Sequence, residues 1–448
     1  MKRIHIAGVA GVGMSAVAEA LLDAGAPVSG SDRAWDASGE SVAMRKLAKR
    51  GLRLFPQDGS AIAEDVAALV VSTAIEESNP EVRKAKELGV PVRHRSAMLA
   101  ELFEGKPLIA VAGTCGKSTT TALLGVILEE CGLDPMVVNG AAVVNWVTEE
   151  RIGNVRCRRS STSSTSSTSS TSSFLLAELD ESDRSLLAFS PTHALLTNAS
   201  ADHFPLDETL ALFQQFKARL PPHGILVDGI WDNAPMPPVE KLPWGSAWTH
   251  EGHRYELPLP GAHNAANAWL AVRMALALGL KASDIADALK KFRGVERRLE
   301  RIGIRADGVM VVDDYAHNTE KLRATWTTLA EHSRRVLGLW RPHGYGPLRS
   351  MLDALTAMFS ETLRPQDRLY LLPVYDAGGT ADRSVQSHHL SERLRERGVT
   401  VMDIATHDDA IERMAQEARP GDILATLGAR DPALPLTARK MTLPLSAT

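Results

Sequence analysis

Cysteine is scarce in this sequence. Its 448 residues include three cysteines, at positions 115, 131 and 157, and no C-x-x-C pair. We therefore expect no disulfide framework and a location in the reducing cytoplasm. Uninterrupted apolar runs of about 18 residues are also missing, so we expect no membrane span. The formal net charge of −4 supplies no broad basic surface, so nucleic acid is not an expected partner.

The remaining composition is typical of a large soluble protein, with 44% hydrophobic and 23% charged residues. The length suggests about two to four domains. Lys2 and Arg3 before an apolar run resemble a secretory signal, but His5 and Glu19 interrupt that run. The beginning of the chain therefore indicates a strand, a glycine turn and a helix.

Three segments, 1–106, 107–295 and 296–448, each alternate short apolar strands with amphipathic stretches of helical length. Such alternation predicts an α/β fold with parallel sheets covered on both faces. The predicted strands are 3–9, 27–31, 68–72 and 90–93 in the first segment, 108–112, 174–177 and 193–197 in the second, and 309–313, 335–339, 368–373, 400–404 and 422–427 in the third.

A tract rich in serine and threonine fills residues 159–173. It has no apolar residue and cannot join a core, so it predicts a flexible surface loop inside the second segment. An inert insertion is the favoured interpretation, with a modification site as the alternative.

The most informative motif, Gly113-Thr-Cys-Gly-Lys-Ser-Thr-Thr120, lies between an apolar run and a helical pattern. A glycine turn in this position directs backbone N–H groups at one point and favours a polyphosphate. Lys117 adds a charge for the outer phosphates, and the Ser118 hydroxyl suits Mg²⁺. The strict G-x-x-x-x-G-K-[ST] pattern is not met because position 111 is Val, and a plain glycine turn is the alternative.

A second glycine-rich turn, Gly11-Val-Gly13-Met-Ser-Ala16, follows the first strand, and Asp32 ends the second strand. This relaxed G-x-G-x-x-[GA] pattern with a trailing acid predicts a site for the diphosphate and ribose of a nucleotide. It does not identify the nucleotide. A dinucleotide-dependent oxidoreductase and a purely structural turn stay open as alternatives.

Acidic and histidine residues follow two predicted strands of the second segment. Glu178 opens the run E-L-D-E-S-D, which suits Mg²⁺ beside a phosphate loop, although a solvated acidic turn is the alternative. His203 ends the motif T-N-x-x-x-D-H. A neutral imidazole there could ligate a second metal ion or serve only the structure.

Further polar motifs lie near residue 263 and in the third segment. His263 and Asn267 of Gly261-Ala-His-Asn-Ala-Ala-Asn267 share one face of a predicted helix. They would serve either as a cap at the start of this helix or as contacts with a nucleotide. The third segment places polar groups around the ends of its strands, where open α/β sheets bind ligands and where paired arginines could neutralise phosphate. Solvated turns are the alternative for these groups, which are Arg297-Arg298, Asp313-Asp314-Tyr315-Ala-His317 and Arg341-Pro-His343-Gly-Tyr345.

Together and in this order, the motifs resemble those of the Mur ligase family. The glycine-rich first strand, G-T-x-G-K-[ST]-T-T, E-x-D-E-S-D, T-N-x-x-x-D-H, G-x-H-N-x-x-N, G-V-x-R-R and D-D-Y-x-H all occur and cover nearly the whole chain. The order of the motifs is far more specific than any single one. The stretches 5–19, 28–32, 72–75 and 79–81 are similar to those of family members that add the first amino acid.

The resemblance implies three domains: a Rossmann-like UDP-binding domain over 1–106, a central P-loop ATPase domain over 107–295 and a C-terminal Rossmann-like domain over 296–448. It also implies an ATP-dependent, amide-forming ligase of peptidoglycan precursor synthesis. ATP would phosphorylate the lactyl carboxylate of UDP-N-acetylmuramate, and the amino group of a small amino acid would attack the acyl phosphate. Domain closure would exclude water from this intermediate.

The resemblance also implies roles for individual residues. Lys117, Glu178 and His203 would be catalytic, and two Mg²⁺ ions would be held by Ser118, Glu178 and His203. Contacts with ATP are implied for Gly113, Thr114, Cys115, Gly116, Lys117, Ser118, Thr119, His263, Asn264, Asn267, Arg298 and Asp314. Contacts with the UDP-sugar are implied for Gly11, Gly13, Met14, Ser15, Asp32, Ser72 and Ala74, and contacts near the amino acid for His317, His343 and Tyr345.

Four positions depart from the family pattern. Cys115 stands in place of a histidine, Asn318 follows His317, and the stretches 341–347 and 374–380 lack the usual residues. The last two departures leave the amino acid open, with L-alanine first and glycine or L-serine as alternatives. A tripeptide ligase of cell-wall recycling and a catalytically altered nucleotide-binding homologue also stay open. We expect a monomer or a weak homodimer.

Overall fold

The computed structural model of the protein describes residues 2–33, 41–157, 174–182, 184–201, 204–232, 235–376 and 381–443. His203 and the tract 159–173 lie outside the described residues. The chain divides into two compact units. The first comprises Met1–Val239, Ala247–Pro258 and Ala266–Arg293, and the second comprises Glu240–Ser246, Leu259–Ala265 and Gly294–Thr448. None of the helices in the described ranges has the length and apolar character needed to cross a membrane.

The first sheet has five parallel strands in the order β3-β2-β1-β4-β5. These are β1 Arg3–Ala7, β2 Val28–Ser31, β3 Arg53–Phe55, β4 Val66–Val71 and β5 Val92–His94, with helices Val12–Asp23, Val42–Lys49, Pro80–Leu88 and Arg95–Phe103. The strand order reverses between β1 and β4, and ligands bind at the carboxyl ends of strands beside such a reversal. The glycine turn after β1 lies at this point.

The second sheet has the order β11-β10-β6-β9-β7-β8 and is parallel except for the pair β7 and β8. Its strands are β6 Leu108–Ala112, β7 Met136–Val138, β8 Val155–Arg156, β9 Leu175–Glu178, β10 His193–Leu196 and β11 Leu226–Asp228. Helices Lys117–Glu130 and Leu206–Lys217 and a short 3₁₀ helix, Ser185–Ala188, belong to the same part of the chain. Every residue of β6 is buried, as expected for a central parallel strand.

A small sheet follows in the order β12-β13-β14, with β12 Glu240–Leu242, β13 Gly245–His250 and β14 His253–Leu257. Helices Ala262–Ala277 and Ala282–Lys290 come next. Trp248 on β13 and Tyr255 on β14 stack with a ring-centroid distance of 5.7 Å and are buried. This sheet was not among the predicted strands, because its first strand is short, charged and largely exposed.

The last sheet has the order β15-β16-β20-β17-β18-β19. Its strands are β15 Glu300–Ile304, β16 Met310–Asp314, β17 Arg335–Trp340, β18 Arg368–Leu371, β19 Val401–Asp403 and β20 Asp422–Leu427. Its helices are Thr319–Glu331, Tyr345–Thr362, Ser387–Glu396, His407–Glu417 and Ala433–Met441. Strand β15 pairs antiparallel with β16, and the other pairs are parallel. The predicted α/β class is therefore confirmed, with an antiparallel edge strand that the alternation did not indicate.

An ion pair and hydrogen bonds join the first sheet's helix Val12–Asp23 to residues 148–157 within the first unit. Arg151 donates two hydrogen bonds of 3.0 Å to the Asp23 carboxylate. The Ile152 N–H donates to Oε1 of Glu19 at 3.4 Å, and Asn154 donates to the Val12 carbonyl at 3.0 Å. The first sheet is thus tied to a segment more than a hundred positions further along the chain.

Candidate functional site

The phosphate loop is shaped by two glycines that have no room for a side chain. Gly113 has φ +138°, and a Cβ there would lie 2.0 Å from the Thr197 hydroxyl. Gly116 has φ +82°, and a Cβ there would lie 2.3 Å from Oδ1 of Asn267. Both positions combine a backbone conformation that favours glycine with close packing. The loop therefore lies directly against the end of β10 and against Asn267.

Asn198 holds the middle of this loop from both sides. Its side-chain oxygen accepts the Cys115 N–H at 2.9 Å, and its amide nitrogen donates to the Cys115 carbonyl at 2.8 Å. The Thr197 hydroxyl donates to the same carbonyl at 2.7 Å. Sequence reasoning treated these two residues only as the start of a motif that leads to His203. In the structure they fix the loop that precedes the helix at Lys117.

Lys117 lies in a nearly buried, acidic environment. Its ammonium group donates to the Gly113 carbonyl at 2.7 Å, to the Thr114 carbonyl at 3.3 Å and to Oε2 of Glu181 at 2.6 Å. Burial alone would lower the pKa of Lys117, but the nearby carboxylates, above all Glu181, outweigh it and raise the pKa above its ordinary value. Lys117 is therefore a permanent cation at neutral pH, as binding of a phosphate requires.

Ser118 and Glu178 converge beside the loop. The Ser118 hydroxyl donates to Oε1 of Glu178 at 3.0 Å, and the Gly140 N–H donates to Oε2 at 2.6 Å. A hydroxyl and a carboxylate this close fit Mg²⁺, which proteins commonly hold by one or two oxygen ligands while the substrate's phosphates complete the shell. Within the described ranges, no group of three or more His, Cys, Asp or Glu side chains could hold a metal ion. His203, the predicted ligand of a second ion, lies outside those ranges.

Gly140 was missed by sequence reasoning although it touches the predicted metal ligand. A Cβ at this position would lie 2.5 Å from Oε2 of Glu178. Gly140 follows β7, and β7 pairs in parallel with β9, the strand that ends at Glu178. Its position after a strand was therefore the one feature of the sequence that could have indicated a place near the site.

Arg95 connects the acidic run to the first glycine turn and was also missed. Its guanidinium lies 3.4 Å from the Asp180 carboxylate, and a Cβ at Gly13 would lie 2.1 Å from Nη1 of Arg95. Arg95 begins the helix that follows β5, and nothing in its local sequence distinguishes it from a surface arginine. The first glycine turn and the acidic run are thus linked through one guanidinium group.

The predicted UDP-sugar residues gather around the turn after β1. Oδ2 of Asp32 accepts the Ala10 N–H at 2.9 Å, so this carboxylate supports the turn itself. Ser15 is 1% exposed and Met14 is buried, while Ser72 and Ala74 follow β4, the strand beside β1. Gly11 and Gly13 complete this group. Their contacts with a nucleotide stay predictions.

Four predicted ATP contacts belong to the second unit, namely His263, Asn264, Arg298 and Asp314. Asn264 is buried and donates to the Pro260 carbonyl at 2.7 Å. The Asp314 carboxylate is also buried and accepts the Leu299 N–H at 2.7 Å and the Ala316 N–H at 2.8 Å. Both side chains therefore have local structural partners. Their roles toward ATP stay predictions.

The predicted amino-acid region contains two ring contacts in the second unit. The rings of His317 and His343 lie 4.9 Å apart, and the Arg383 guanidinium lies 5.7 Å from the centre of the Tyr345 ring. Arg383 also pairs with Asp376 at 2.8 Å. The structure thus brings His317 and His343 together and adds Arg383, which sequence reasoning did not identify. A role toward an amino acid stays a prediction for this region.

Comparison with known proteins bears directly on this site. Residues 3–107 match the Mur ligase family, catalytic domain, and residues 297–430 match the Mur ligase, glutamate ligase domain. A UDP-N-acetylmuramate–L-alanine ligase of Acidithiobacillus ferrooxidans is 35% identical, with 96% of this chain and 95% of that protein aligned. The chain belongs to the Mur ligase family. A second Mur ligase with the same name, from Gloeobacter violaceus, is 34% identical over 95% of this chain and 92% of its own length.

Solved structures agree with the fold of this Mur ligase. A UDP-N-acetylmuramate-alanine ligase from Thermotoga maritima matches with a TM-score of 0.78 and 22% identity, over 98% of both chains. A murein peptide ligase from Psychrobacter arcticus matches with a TM-score of 0.65 and 19% identity over the whole of both chains. At these identities the likeness concerns the fold alone.

Proposed function

We propose that this Mur ligase joins L-alanine to the lactyl carboxylate of UDP-N-acetylmuramate in the cytoplasm, using ATP and an acyl-phosphate intermediate. The observation that carries the proposal is the convergence of Lys117, Ser118 and Glu178 beside one buried strand. The relatives named for this reaction align over nearly the whole chain. An oxidoreductase has no need for a phosphate loop that faces an acidic run.

The chemistry asks two things of the protein. A carboxylate is a poor electrophile, so it must first receive the terminal phosphoryl group, and the charge that develops on this group must be neutralised. Lys117 supplies a fixed positive charge for the outer phosphates. Ser118 and Glu178 would hold Mg²⁺, which supplies further neutralisation of the phosphate oxygens. We assign a second Mg²⁺ to His203.

The three segments would divide the substrates among them. We assign the UDP end of the sugar to 1–106, the nucleotide to 107–295, and the amino acid to 296–448, where His317, His343 and Tyr345 lie. Amine attack on the acyl phosphate releases phosphate, so each turnover forms one amide bond, one ADP and one phosphate. We propose a monomer or a weak homodimer as the active form.

The decisive experiment measures phosphate release from ATP and Mg²⁺ with UDP-N-acetylmuramate, adding L-alanine, glycine, L-serine or the recycling tripeptide in turn. We expect release that depends on L-alanine and that falls at least about a thousandfold in Lys117→Met, because a fixed charge on the transferred group is lost. Release only with glycine, L-serine or the tripeptide would reassign the acceptor. No release with any of them would overturn the proposal and favour a nucleotide-binding homologue without ligase activity.

A further inference from the structure

Glu181 takes up one of the N–H donors that Lys117 could offer to a phosphate. An ammonium group has three N–H donors, and all three donors of Lys117 are matched by acceptors: two loop carbonyls and Oε2 of Glu181. The contact with Glu181 is the shortest of the three and the only one with a full negative charge. A phosphate can therefore contact Lys117 only by displacing one of these partners.

The second oxygen of Glu181 shows that this carboxylate is not simply a well-satisfied structural group. Oε1 is buried and has no hydrogen-bond partner among the described residues, and the Glu181 side chain is only 2% exposed. Burying a carboxylate with one oxygen that accepts no hydrogen bond lowers the stability of the fold, and the positive charge of Lys117 offsets part of this loss.

We propose that Glu181 is the resting counter-ion of Lys117 and competes with nucleotide phosphate for it. This inference rests on the proposed ATP site. A ligand with many phosphate contacts to the loop overcomes the competition, whereas ADP and inorganic phosphate are held weakly. Glu181 is thus a positioning residue that sets phosphate affinity and favours the departure of ADP after reaction.

The test is equilibrium binding of ADP with Mg²⁺, measured by calorimetry on the full chain without UDP-sugar or amino acid. We expect Glu181→Gln to bind ADP about tenfold more tightly, because Lys117 loses its charged partner and its ammonium group becomes available to the phosphates. The KM for ATP should fall, and kcat should not rise because ADP leaves more slowly. A purely structural role would move ADP affinity in the opposite direction, so unchanged or weaker binding overturns the proposal.

Asp180→Asn provides the matched control. It removes the same charge one position away, where the carboxylate faces Arg95 at 3.4 Å. We expect a shift in ADP affinity of less than about threefold, because the Asp180 charge acts on Lys117 less strongly than the Glu181 charge does. A shift equal to that of Glu181→Gln would mean that only the summed charge matters and would overturn the specific pairing.

Two further variants keep the test decisive. In a Lys117→Met background, Glu181→Gln should no longer tighten ADP binding, and persistence of the full effect would contradict the competition. If Glu181→Gln does not fold, the Glu181→Asp variant tests the proposal instead. Its shorter side chain weakens the contact with Lys117, so we expect ADP to bind more tightly than to wild type but less tightly than expected for Glu181→Gln. A wild-type protein that binds ADP but releases no phosphate would contradict the ligase function and leave this inference standing.

Discussion

At the residue scale, the candidate site depends on glycines at which an added Cβ atom would collide with a neighbouring side chain. Gly116 is the clearest, since it has a positive φ and an added Cβ would lie only 2.3 Å from the side-chain oxygen of Asn267. Gly132, just beyond the other end of the same helix, has a similar φ of +85° but nothing within 4 Å of an added Cβ. This pair separates the effect of backbone conformation from the effect of packing.

We predict that Gly116→Ala lowers the free energy of unfolding by about 2–4 kcal/mol, the sum of left-handed backbone strain and overpacking against Asn267. ATP affinity should fall at least about tenfold, because the loop N–H groups shift away from the phosphates. Urea unfolding and calorimetric ATP titration measure both effects. Gly132→Ala should lose only about 1 kcal/mol and keep its ATP affinity. Equal effects of the two substitutions would show that the contact with Asn267 is unimportant.

At the scale of elements, the edge strand β15 carries a carboxyl group in a poorly solvated position. Burial raises the pKa of Glu300 to about 7, and the negative charges of Glu296 and Asp313 act in the same direction. Its Oε2 accepts the Arg297 N–H at 2.8 Å, which only partly offsets the burial. The folded state therefore keeps a proton that the unfolded chain has already released between about pH 4.5 and 7.

The sign of the resulting pH effect follows from proton linkage. Because the folded state binds more protons in this window, Glu300 makes the protein less stable as the pH rises from about 4.5 to 7. We predict that Glu300→Gln, relative to wild type, gains about 2 kcal/mol more in unfolding free energy at pH 8 than at pH 5. Urea unfolding at both pH values measures this. Glu87→Gln, at a side chain 63% exposed, should show no such difference.

Some elements could be predicted from the sequence because their signal is local. Strands 108–112 and 422–427 have the predicted bounds, since each is a short apolar run bounded by polar or turn residues. The helix after the phosphate loop begins at Lys117, before its apolar periodicity becomes visible at residue 121. The antiparallel direction of β15 left no local trace, because pairing direction depends on where the neighbouring strand lies.

Two site contacts that the sequence did not reveal join side chains across long stretches of chain. Glu181 lies 64 positions from Lys117, and Arg95 lies 85 positions from Asp180. Their residue types were visible, but the sheet order that brings them together was not. Lys117, Ser118 and Glu178 could be identified because a strand, a turn and an acidic run each indicate a sheet edge.

At the scale of the whole molecule, the strand pairing of the second sheet sets the distance between the two chain ends that the tract at 159–173 connects. Arg156 pairs with Val137, and Val137 pairs with Leu176, so the two ends of the connection lie two strand spacings apart. That distance is about 10 Å. A connection of about six residues is long enough to cover it.

We predict that replacing residues 158–173 with about six Gly and Ser residues changes the unfolding free energy by less than about 1 kcal/mol, the scale of the loop-closure entropy. Phosphate release should stay within about twofold of the original rate, since residues 158–173 include no apolar side chain. A Gly/Ser replacement of the original length separates length from composition. Loss of activity in both replacements would contradict an inert insertion and favour a modification or binding role for the tract.

The ion pair between Asp23 and Arg151 has a consequence for the order in which the chain can mature on the ribosome. Until Arg151 has emerged, Asp23 lacks the bidentate partner that it has in the finished protein. A nascent or recombinant piece that stops at residue 106 keeps all five strands of the first sheet but lacks this clamp. A fragment meant to keep the Asp23–Arg151 pair therefore has to extend well past the last strand of the first sheet.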